Sequence, residues 1–539
     1  MPFLKSVVAG LAASASVCGV NAIPFSGFKA VVHAASTSSS AVTTATIGGS
    51  TFTYNGMAGY GFVPGNSTDK YGDTISFGSS ITIERPSLVV YEVDGVTYYN
   101  ATVYNLPDRG WNTEGTLNYI PRIHQYQIQF NPLASSSEAN LIWTYVDTIL
   151  LTDPEGSPMT GLDANTVLNF DGFHSLPAAS YTGNGYNEAG VGGKRVSLDP
   201  ESINLINGTM ANGFWITDEY GPLIYRFNPL GRLVEAIRPS NAVIPYRNGV
   251  QSFSADSPMI GSGEDDDVDP ADPDSGRANN QGFEGSSISP DGSHLWVLLQ
   301  SAAVQDGGDE KYTNRYTRLF KYGIGVEDSP TFLAEYVVPL PQYQDPAYKD
   351  KKNPRTAAQS EIVALSDEIF LVLARDSNHG RAQDNTTSIY RELALYSIAN
   401  ATNVKTISGY DAATATVAPG GVLDDNITPA TYYSFIDFND ETELAKFGLH
   451  NGGEDDYYLL NEKWEGAVLI PADGATGADG VFYIIAVSDD DFITQTGHMN
   501  FGRFDYADGT GANLDNQALV FKVTLPPSVQ PFGTFPAGN

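Results

Sequence analysis

The chain has 539 residues, and its 63 acidic and 29 basic side chains give a net charge of −34. This charge repels nucleic acid phosphates and anionic membrane surfaces, so neither is an expected partner. The length is sufficient to bury a large apolar core, whereas the single cysteine, Cys18, leaves no pair for a disulfide.

The first 22 residues have the pattern of a secretory signal peptide. Lys5 precedes an apolar run from Ser6 to Val20, and Ala22 ends a small-x-small cleavage site. The run is shorter than the roughly 20 apolar residues of a membrane span. We therefore expect a secreted, extracellular protein cleaved after Ala22. Residues 23–50, rich in Ala, Ser and Thr, are expected to form a flexible lead-in.

Behind a signal peptide, N-x-S/T sequons indicate a glycoprotein with N-glycans at its surface. Six such sequons occur, at Asn66, Asn100, Asn207, Asn385, Asn400 and Asn426.

Short apolar runs bounded by Gly, Asp, Asn and Pro recur over residues 51–527 and predict an all-β domain, followed by a tail over residues 528–539. Within this domain one hairpin pattern repeats. A glutamate opens a strand, a turn follows, and a second apolar strand ends in polar residues. The glutamates are Glu201, Glu284, Glu361 and Glu465, and a degenerate first copy runs from Phe77 to Asp108.

Repeated four-stranded units of this kind close radially into a β-propeller. The spacing between successive glutamates exceeds the roughly 40–50 residues of one blade. We therefore predict a single propeller with long loop insertions and six blades, with five as the alternative. Terminal strands such as Phe52–Tyr54 and Ala518–Phe521 are expected to share one blade.

In an antiparallel hairpin, the start of the first strand and the end of the second lie at the same end. The repeat therefore predicts a ring of charged groups at one mouth of the channel. The candidate catalytic residues are Glu201, Glu284, Glu361, Glu465, Arg109 and Arg375, and the candidate metal ligands are Asp218, Asp376 and Asp489. Clustered carboxylates need a neutralising cation, and Ca²⁺ prefers oxygen ligands, so Ca²⁺ is the expected cofactor.

Two alternatives remain open for these residues. The acids could cap turns or form ion pairs between blades without any catalysis. Arg109 and Arg375 could hold an anionic substrate through their planar guanidinium groups, or could pair with the glutamates. Neither a G-x-S-x-G nucleophile elbow nor an H-E-x-x-H zinc motif occurs in the sequence.

Several strings carry a family resemblance, in chain order: Asp108-Arg-Gly110, Asp199-Pro-Glu201, Phe214 to Pro222 with Tyr225-Arg-Phe227, Asn279 to Gly285 with Ser289-Pro-Asp-Gly292, Arg375-Asp376, and Trp464-Glu-Gly466 with Ser488-Asp489. They resemble the phytase-like family named for an "esterase-like activity of phytase", over most of the mature chain. The resemblance implies a β-propeller fold, extracellular placement and hydrolysis of phosphoric or carboxylic esters.

These observations predict a phytase-like hydrolase of a small ester or phosphate ester. Ca²⁺ held by the carboxylate ring would activate water, and Arg109 or Arg375 would stabilise the phosphate charge. The first alternative is a non-catalytic propeller that binds a glycan, a cell-wall component or a protein. The second is a lactonase-type propeller with Ca²⁺ at its channel.

Overall fold

The structure, a computed structural model, describes residues 43–263, 268–308, 310–325, 329–346 and 353–533. The predicted signal peptide, most of the predicted lead-in and the last six residues lie outside these ranges. The regular secondary structure of the described chain consists of β-strands, short 3₁₀ turns and one short α-helix, α1 (Glu441–Ala445). The N-cap Asp440 of α1 accepts hydrogen bonds from two backbone amides. The predicted all-β class is confirmed. No helix of the described ranges is long and apolar enough to cross a membrane.

In chain order, the first strands are β1 (Thr43–Ile47), β2 (Ser50–Val63), β3 (Ser80–Ile83), β4 (Val89–Val93), β5 (Val96–Leu106), β6 (Arg122–Phe130), β7 (Leu141–Leu150), β8 (Thr166–Leu168), β9 (Leu176–Tyr181), β10 (Gly193–Val196), β11 (Pro200–Leu205), β12 (Phe214–Asp218), β13 (Ile224–Phe227), β14 (Leu233–Ile237), β15 (Tyr246–Arg247) and β16 (Val250–Gln251). The remaining strands are β17 (Phe283–Ile288), β18 (His294–Leu299), β19 (Tyr316–Gly323), β20 (Thr331–Pro339), β21 (Gln342–Tyr343), β22 (Arg355–Thr356), β23 (Ala358–Ala364), β24 (Ile369–Arg375), β25 (Arg391–Ser397), β26 (Thr431–Asp437), β27 (Trp464–Pro471), β28 (Val481–Ser488), β29 (Gly497–Met499), β30 (Phe504–Tyr506) and β31 (Asn516–Thr524). Short 3₁₀ turns lie at Arg85–Ser87, Ile206–Gly208, Met210–Asn212, Val304–Asp306, Val404–Thr406 and Pro419–Gly421.

The larger sheets of the described residues are antiparallel and have four or five strands each. Sheet 1 has the order β3-β5-β6-β7, with β4 also paired to β5, and sheet 2 has the order β11-β12-β13-β14. Sheet 3 is β17-β18-β19-β20, sheet 4 is β23-β24-β25-β26, and sheet 5 is β27-β28-β31-β2-β1. The smaller sheets are β10-β9-β8, β15-β16, β21-β22 and β29-β30.

The first strand of each large sheet contacts the first strands of two other large sheets. Strand β3 contacts β11 and β27, β17 contacts β11 and β23, and β23 contacts β27. These five are termed the inner strands, and their contacts run in a cycle through all five sheets. Residues of every inner strand line one cavity, including Ile81, Ile203, Ser286, Ile362 and Leu469.

Apolar side chains fill the spaces between neighbouring large sheets. One cluster joins sheets 1 and 2 through Leu106 and Ile216, and another joins sheets 2 and 3 through Trp215 and Val297. A third joins sheets 3 and 4, and the largest joins sheets 4, 5 and 1. Each large sheet is therefore packed between two others, which is how its two faces are removed from water.

The predicted hairpins are present, including the degenerate first copy. Strand β3 pairs with β5 so that Ile81 lies opposite Asn105. The N- and C-terminal strands share sheet 5, as predicted, with Met57 of β2 opposite Phe521 of β31. The structure differs at β1, which forms a strand inside the predicted lead-in because pairing with β2 satisfies its backbone hydrogen bonds.

Strands β17 and β23 approach so closely that no side chain fits between them at Gly285. A Cβ atom there would lie 2.6 Å from the backbone nitrogen of Ile362 and 2.7 Å from the carbonyl carbon of Glu361. We expect Gly285→Ala to lower the free energy of unfolding, measured by chemical denaturation, by about 1–3 kcal/mol, because the methyl group forces the strands apart. Gly325→Ala is the control, since its Cβ would meet no described atom within 4 Å. Equal effects of the two substitutions would contradict the prediction.

Candidate functional site

Sheets 2 to 5 each carry a β-bulge beside the repeated glutamate. The register shifts lie between Pro200 and Ser202, Phe283 and Ser286, Gln359 and Glu361, and Trp464 and Gly466. A bulge leaves one residue out of the ladder and changes the direction of its side chain, and bulges are common beside functional sites. In three of the four hairpins the repeated glutamate lies within the shift, where its side chain leaves the regular alternation of the strand.

Buried charged side chains gather where the inner strands begin. They are termed the acid cluster, which contains Asp108, Asp199, Glu201, Glu219, Glu284, Glu465, Asp489 and Asp491 together with Arg109, Arg375 and Lys463. Eight carboxylates therefore face three cations. The side chains of Lys463 and Asp491 are 22% and 24% exposed, while the other nine residues are at most 9% exposed. Lys463 and Asp491 thus mark the side from which solvent reaches the cluster.

The three cations of the acid cluster all form ion pairs with its carboxylates. Arg109 Nη1 lies 2.8 Å from Asp199 Oδ2, and Arg375 Nη2 contacts Glu465 Oε1. Both arginines therefore form ion pairs with carboxylates of the protein. Pairing of the arginines with acidic residues is one of the two alternatives that the sequence leaves open. Within the described part of the chain, the buried Nε atoms of Arg109 and Arg375 have no hydrogen-bond partner.

Lys463 holds a different part of the cluster. Its Nζ lies 2.7 Å from Asp491 Oδ1, 3.1 Å from Asp489 Oδ2 and 3.7 Å from Glu465 Oε1. Burial lowers the pKa of Lys463, but these carboxylates raise it more, and the resulting pKa lies well above the usual value. Lys463 is therefore a permanent cation.

Three buried carboxylate oxygens of the acid cluster accept no hydrogen bond from any described residue. They are Asp199 Oδ1, Glu219 Oε1 and Glu284 Oε2. An unpaired buried carboxylate is costly, so it takes up a proton or a cation. Burial and the neighbouring Glu284 raise the pKa of Glu201 well above its usual value, and burial and Asp199 raise the pKa of Glu219 to about 8.

Two sets of three carboxylates could each hold a metal ion. The first set is Asp108, Asp489 and Asp491, and the second set is Asp199, Glu201 and Glu219. In each set, one oxygen atom from each residue lies within 4.8 Å of the other two. Carboxylate oxygens are the ligands of hard cations, so the chemistry of the donors fits the expected class of cofactor.

The acid cluster brings together six of the residues predicted from sequence: Glu201, Glu284, Glu465, Arg109, Arg375 and Asp489. Glu361 is not among them. In its hairpin the register shift omits Ser360, and Glu361 remains in the ladder opposite Leu373. Its carboxylate accepts hydrogen bonds from Ser80 Oγ at 2.8 Å and from the backbone nitrogen of Ile362 at 2.9 Å, and it lines the cavity. Burial raises the pKa of Glu361 well above its usual value.

Asp218 and Asp376, predicted as metal ligands, lie in neither carboxylate set. Asp218 accepts hydrogen bonds from the backbone nitrogens of Asp199 at 3.1 Å and Gly221 at 2.8 Å. Asp376 accepts from Ser388 Oγ at 2.9 Å and from the backbone nitrogen of Ile389 at 2.6 Å. These carboxylates hold the loops that follow strands β12 and β24, because their oxygens bind backbone groups there.

The acid cluster also contains residues that the sequence analysis does not propose as site residues: Asp108, Asp199, Glu219, Lys463 and Asp491. Each lies within two residues of a predicted site residue in the sequence. Their positions next to predicted site residues, at the ends of the repeated hairpins, are the signal in the sequence that points to them.

The fold and the acid cluster define an all-β protein with a buried, carboxylate-rich site at the ends of its inner strands. The chain belongs to the phytase-like family, described as "esterase-like activity of phytase", whose model matches residues 95–492. The predicted family is therefore confirmed, and it indicates a hydrolase of the phytase-like or esterase-like type. The chain is also similar to an "Uncharacterized secreted protein" of Arthroderma benhamiae, with 44% identity over 496 residues that cover 89% of this chain and 95% of the relative. The prediction of a secreted protein is confirmed.

Proposed function

We propose that the protein is a Ca²⁺-dependent hydrolase of small phosphoric or carboxylic esters and that the acid cluster is its active site. The observation that carries this proposal is the excess of buried carboxylates over cations at the ends of the inner strands, with unpaired oxygens on Asp199, Glu219 and Glu284. The family supports the hydrolase class. The high net negative charge supports the absence of nucleic acid and membrane partners.

The large sheets are proposed to be the blades of one five-bladed propeller, one blade fewer than the six favoured by the sequence spacing. The cycle of inner-strand contacts and the cavity lined by all five inner strands support this count. The spacing overestimates the blades because loops add length between sheets. One example is residues 238–282, which join sheets 2 and 3 and whose described strands are the small pair β15 and β16.

The residues of the acid cluster have distinct proposed roles. Bound Ca²⁺ would supply Lewis acidity and a more acidic water molecule. Arg109 and Arg375 position an anionic ester through their guanidinium groups, whose geometry matches phosphate. Glu284 is the proposed proton donor to the leaving alkoxide oxygen, because burial and Glu219 raise its pKa well above the usual value and so favour its protonated form.

Processing and glycosylation complete the proposal. Removal of residues 1–22 as a signal peptide would release the mature chain. The six sequon asparagines are all at least partly exposed, with Asn66, Asn400 and Asn426 the most accessible. This exposure supports N-glycans at these positions, because glycosylation needs a surface side chain.

We expect the purified secreted protein to hydrolyse phytate or a simple carboxylic ester with Ca²⁺ and to lose this activity in a chelator. Glu284→Gln should lower kcat by about 10²–10⁴-fold, because it removes the proton donor and keeps the side-chain shape. Glu368→Gln is the control, since Glu368 is exposed in the turn between β23 and β24 and should leave activity unchanged.

Other outcomes of this assay would favour the alternative functions. No turnover by a folded protein would favour a non-catalytic propeller that binds a glycan, a cell-wall component or a protein. The ion pairs of Arg109 with Asp199 and of Arg375 with Glu465 are the observation that fits such a protein. Turnover of esters or lactones without turnover of phosphate esters would favour a lactonase-type propeller.

A further inference from the structure

We propose that the two carboxylate sets are filled differently: the protein binds one divalent cation at Asp199, Glu201 and Glu219, and the Lys463 ammonium takes the place of a second cation. This inference deepens the proposed function and rests on it for the use of the cation in catalysis. It assigns both the location and the number of ions.

The set of Asp108, Asp489 and Asp491 is satisfied by the protein itself. Lys463 Nζ contacts Asp491 at 2.7 Å and Asp489 at 3.1 Å, and Asp108 accepts a hydrogen bond from the backbone nitrogen of Gly110 at 3.1 Å. A divalent ion would have to approach an ammonium group that touches two of its three ligands. Charge repulsion therefore excludes a second ion while Lys463 is in place.

The set of Asp199, Glu201 and Glu219 is only partly satisfied, because among the described residues its one ion pair, with Arg109, leaves other buried oxygens without donors. Asp199 Oδ2 is held by Arg109, but Asp199 Oδ1 and Glu219 Oε1 have no hydrogen-bond partner in the described chain. These two residues are 1% and 2% exposed. Glu284 interacts electrostatically with both Glu201 and Glu219, and its Oε2 is also unpaired within the described ranges. Buried oxygens without donors from the described residues therefore lie within this set, at Asp199 and Glu219, and on the neighbouring Glu284.

The oxygens of the set are close enough to share one ion, because one oxygen from each residue lies within 4.8 Å of the other two. Ligand oxygens lie at 2.3–2.6 Å from Ca²⁺, so two of them on opposite sides of the ion are about 5 Å apart. A hard divalent cation of this size therefore fits the set, and Ca²⁺ is the ion used to test it.

Isothermal titration calorimetry of the full secreted protein with CaCl₂ tests the inference. We expect one Ca²⁺ per chain, together with a higher unfolding temperature in Ca²⁺. Glu219→Gln should weaken the affinity by about tenfold or more, because it removes one charged ligand. Lys463→Met should raise the stoichiometry to two ions per chain, and Glu368→Gln should change neither quantity.

Several results would overturn the inference. These are no Ca²⁺ binding by the wild type, two ions in the wild type, unchanged affinity in Glu219→Gln, or a single ion in Lys463→Met. If circular dichroism shows that Glu219→Gln does not fold, Asp199→Asn replaces it and the same loss of affinity is required. Binding of one Ca²⁺ without ester hydrolysis would leave this inference standing and overturn the proposed function.

Discussion

The variant Arg375→Met is expected to have a free energy of unfolding about 3–5 kcal/mol lower than that of the wild type, because it leaves buried carboxylates without their cation. Arg375 contacts Glu465, lies 3.9 Å from Glu462 and interacts electrostatically with Glu284. Its side chain is 9% exposed, so water cannot replace it. Methionine preserves most of the side-chain volume, which limits the effect to the charge. Urea denaturation at pH 7 in a chelator measures the loss.

Two variants serve as controls for the Arg375 experiment. The double variant Arg375→Met with Glu465→Gln should recover a large part of the loss, because the buried charge is removed together with its partner. Arg226→Met breaks the ion pair of Arg226 with Glu235, which is 2.8 Å long and whose side chains are 42% and 23% exposed. That variant should change stability by no more than about 1 kcal/mol. Equal losses for Arg375→Met and Arg226→Met would contradict the interpretation of a buried, charge-dependent cluster.

Much of the hairpin arrangement is predictable from the sequence because the signals are local. Alternating apolar residues between turn residues define each strand, and the repeated glutamates define the first strand of each of four hairpins. The number of large sheets is not predictable in this way. It depends on how the faces of neighbouring sheets pack, as in the apolar cluster that contains Trp215 and Val297 between sheets 2 and 3. Loop lengths carry no information about that packing.

The candidate site is predictable only in part, for a related reason. Glu201 and Glu465 lie within the register shifts of their hairpins, whereas in sheet 4 the shift falls on Ser360 and leaves Glu361 in the regular ladder. A shift of one residue turns a side chain to the other face. The same motif position therefore has two different environments. The glutamate repeat does not show which residue the register shift omits, so the sequence alone does not distinguish them. Lys463 precedes β27 and Asp491 follows β28, so the pairing of these two strands brings both residues to the site beside the predicted Glu465 and Asp489.

Stability of the metal-free protein is expected to fall as the pH rises from 5 to 8. Burial raises the pKa of Asp218 and of Asp491 to about 7, and burial with Asp199 raises that of Glu219 to about 8. The folded state therefore binds these protons more tightly than the unfolded state, whose carboxyl groups have pKa values near 4. Their contribution is complete below about pH 4 and is lost as the pH rises through 7 to 8, for a total of about 3 kcal/mol or more.

Other carboxyl groups have the opposite dependence in a separate pH range. Burial raises the pKa of Asp291, but hydrogen bonds from Ser289 and Ser293 lower it more, to about 2. For Asp473, too, burial raises the pKa and backbone hydrogen bonds lower it more. Such groups stabilise the fold above about pH 4 and lose that contribution as the pH falls below it. The stability of the metal-free protein should therefore be greatest near pH 4–5.

Calcium should remove the part of the loss between pH 5 and 8 that comes from Glu219, because a cation bound at Asp199, Glu201 and Glu219 neutralises the carboxylate that otherwise needs a proton. Urea denaturation at pH 5 and pH 8, with a chelator or with millimolar Ca²⁺, measures the four free energies of unfolding. Glu219→Gln should have a weaker pH dependence in the chelator and a smaller gain from Ca²⁺ at pH 8, since it lacks both the titrating group and the ligand. A metal-free protein that becomes more stable between pH 5 and pH 8 would show that these carboxyl groups are ionised without cost, and that the acid cluster is neutralised by its own arginines and lysine alone.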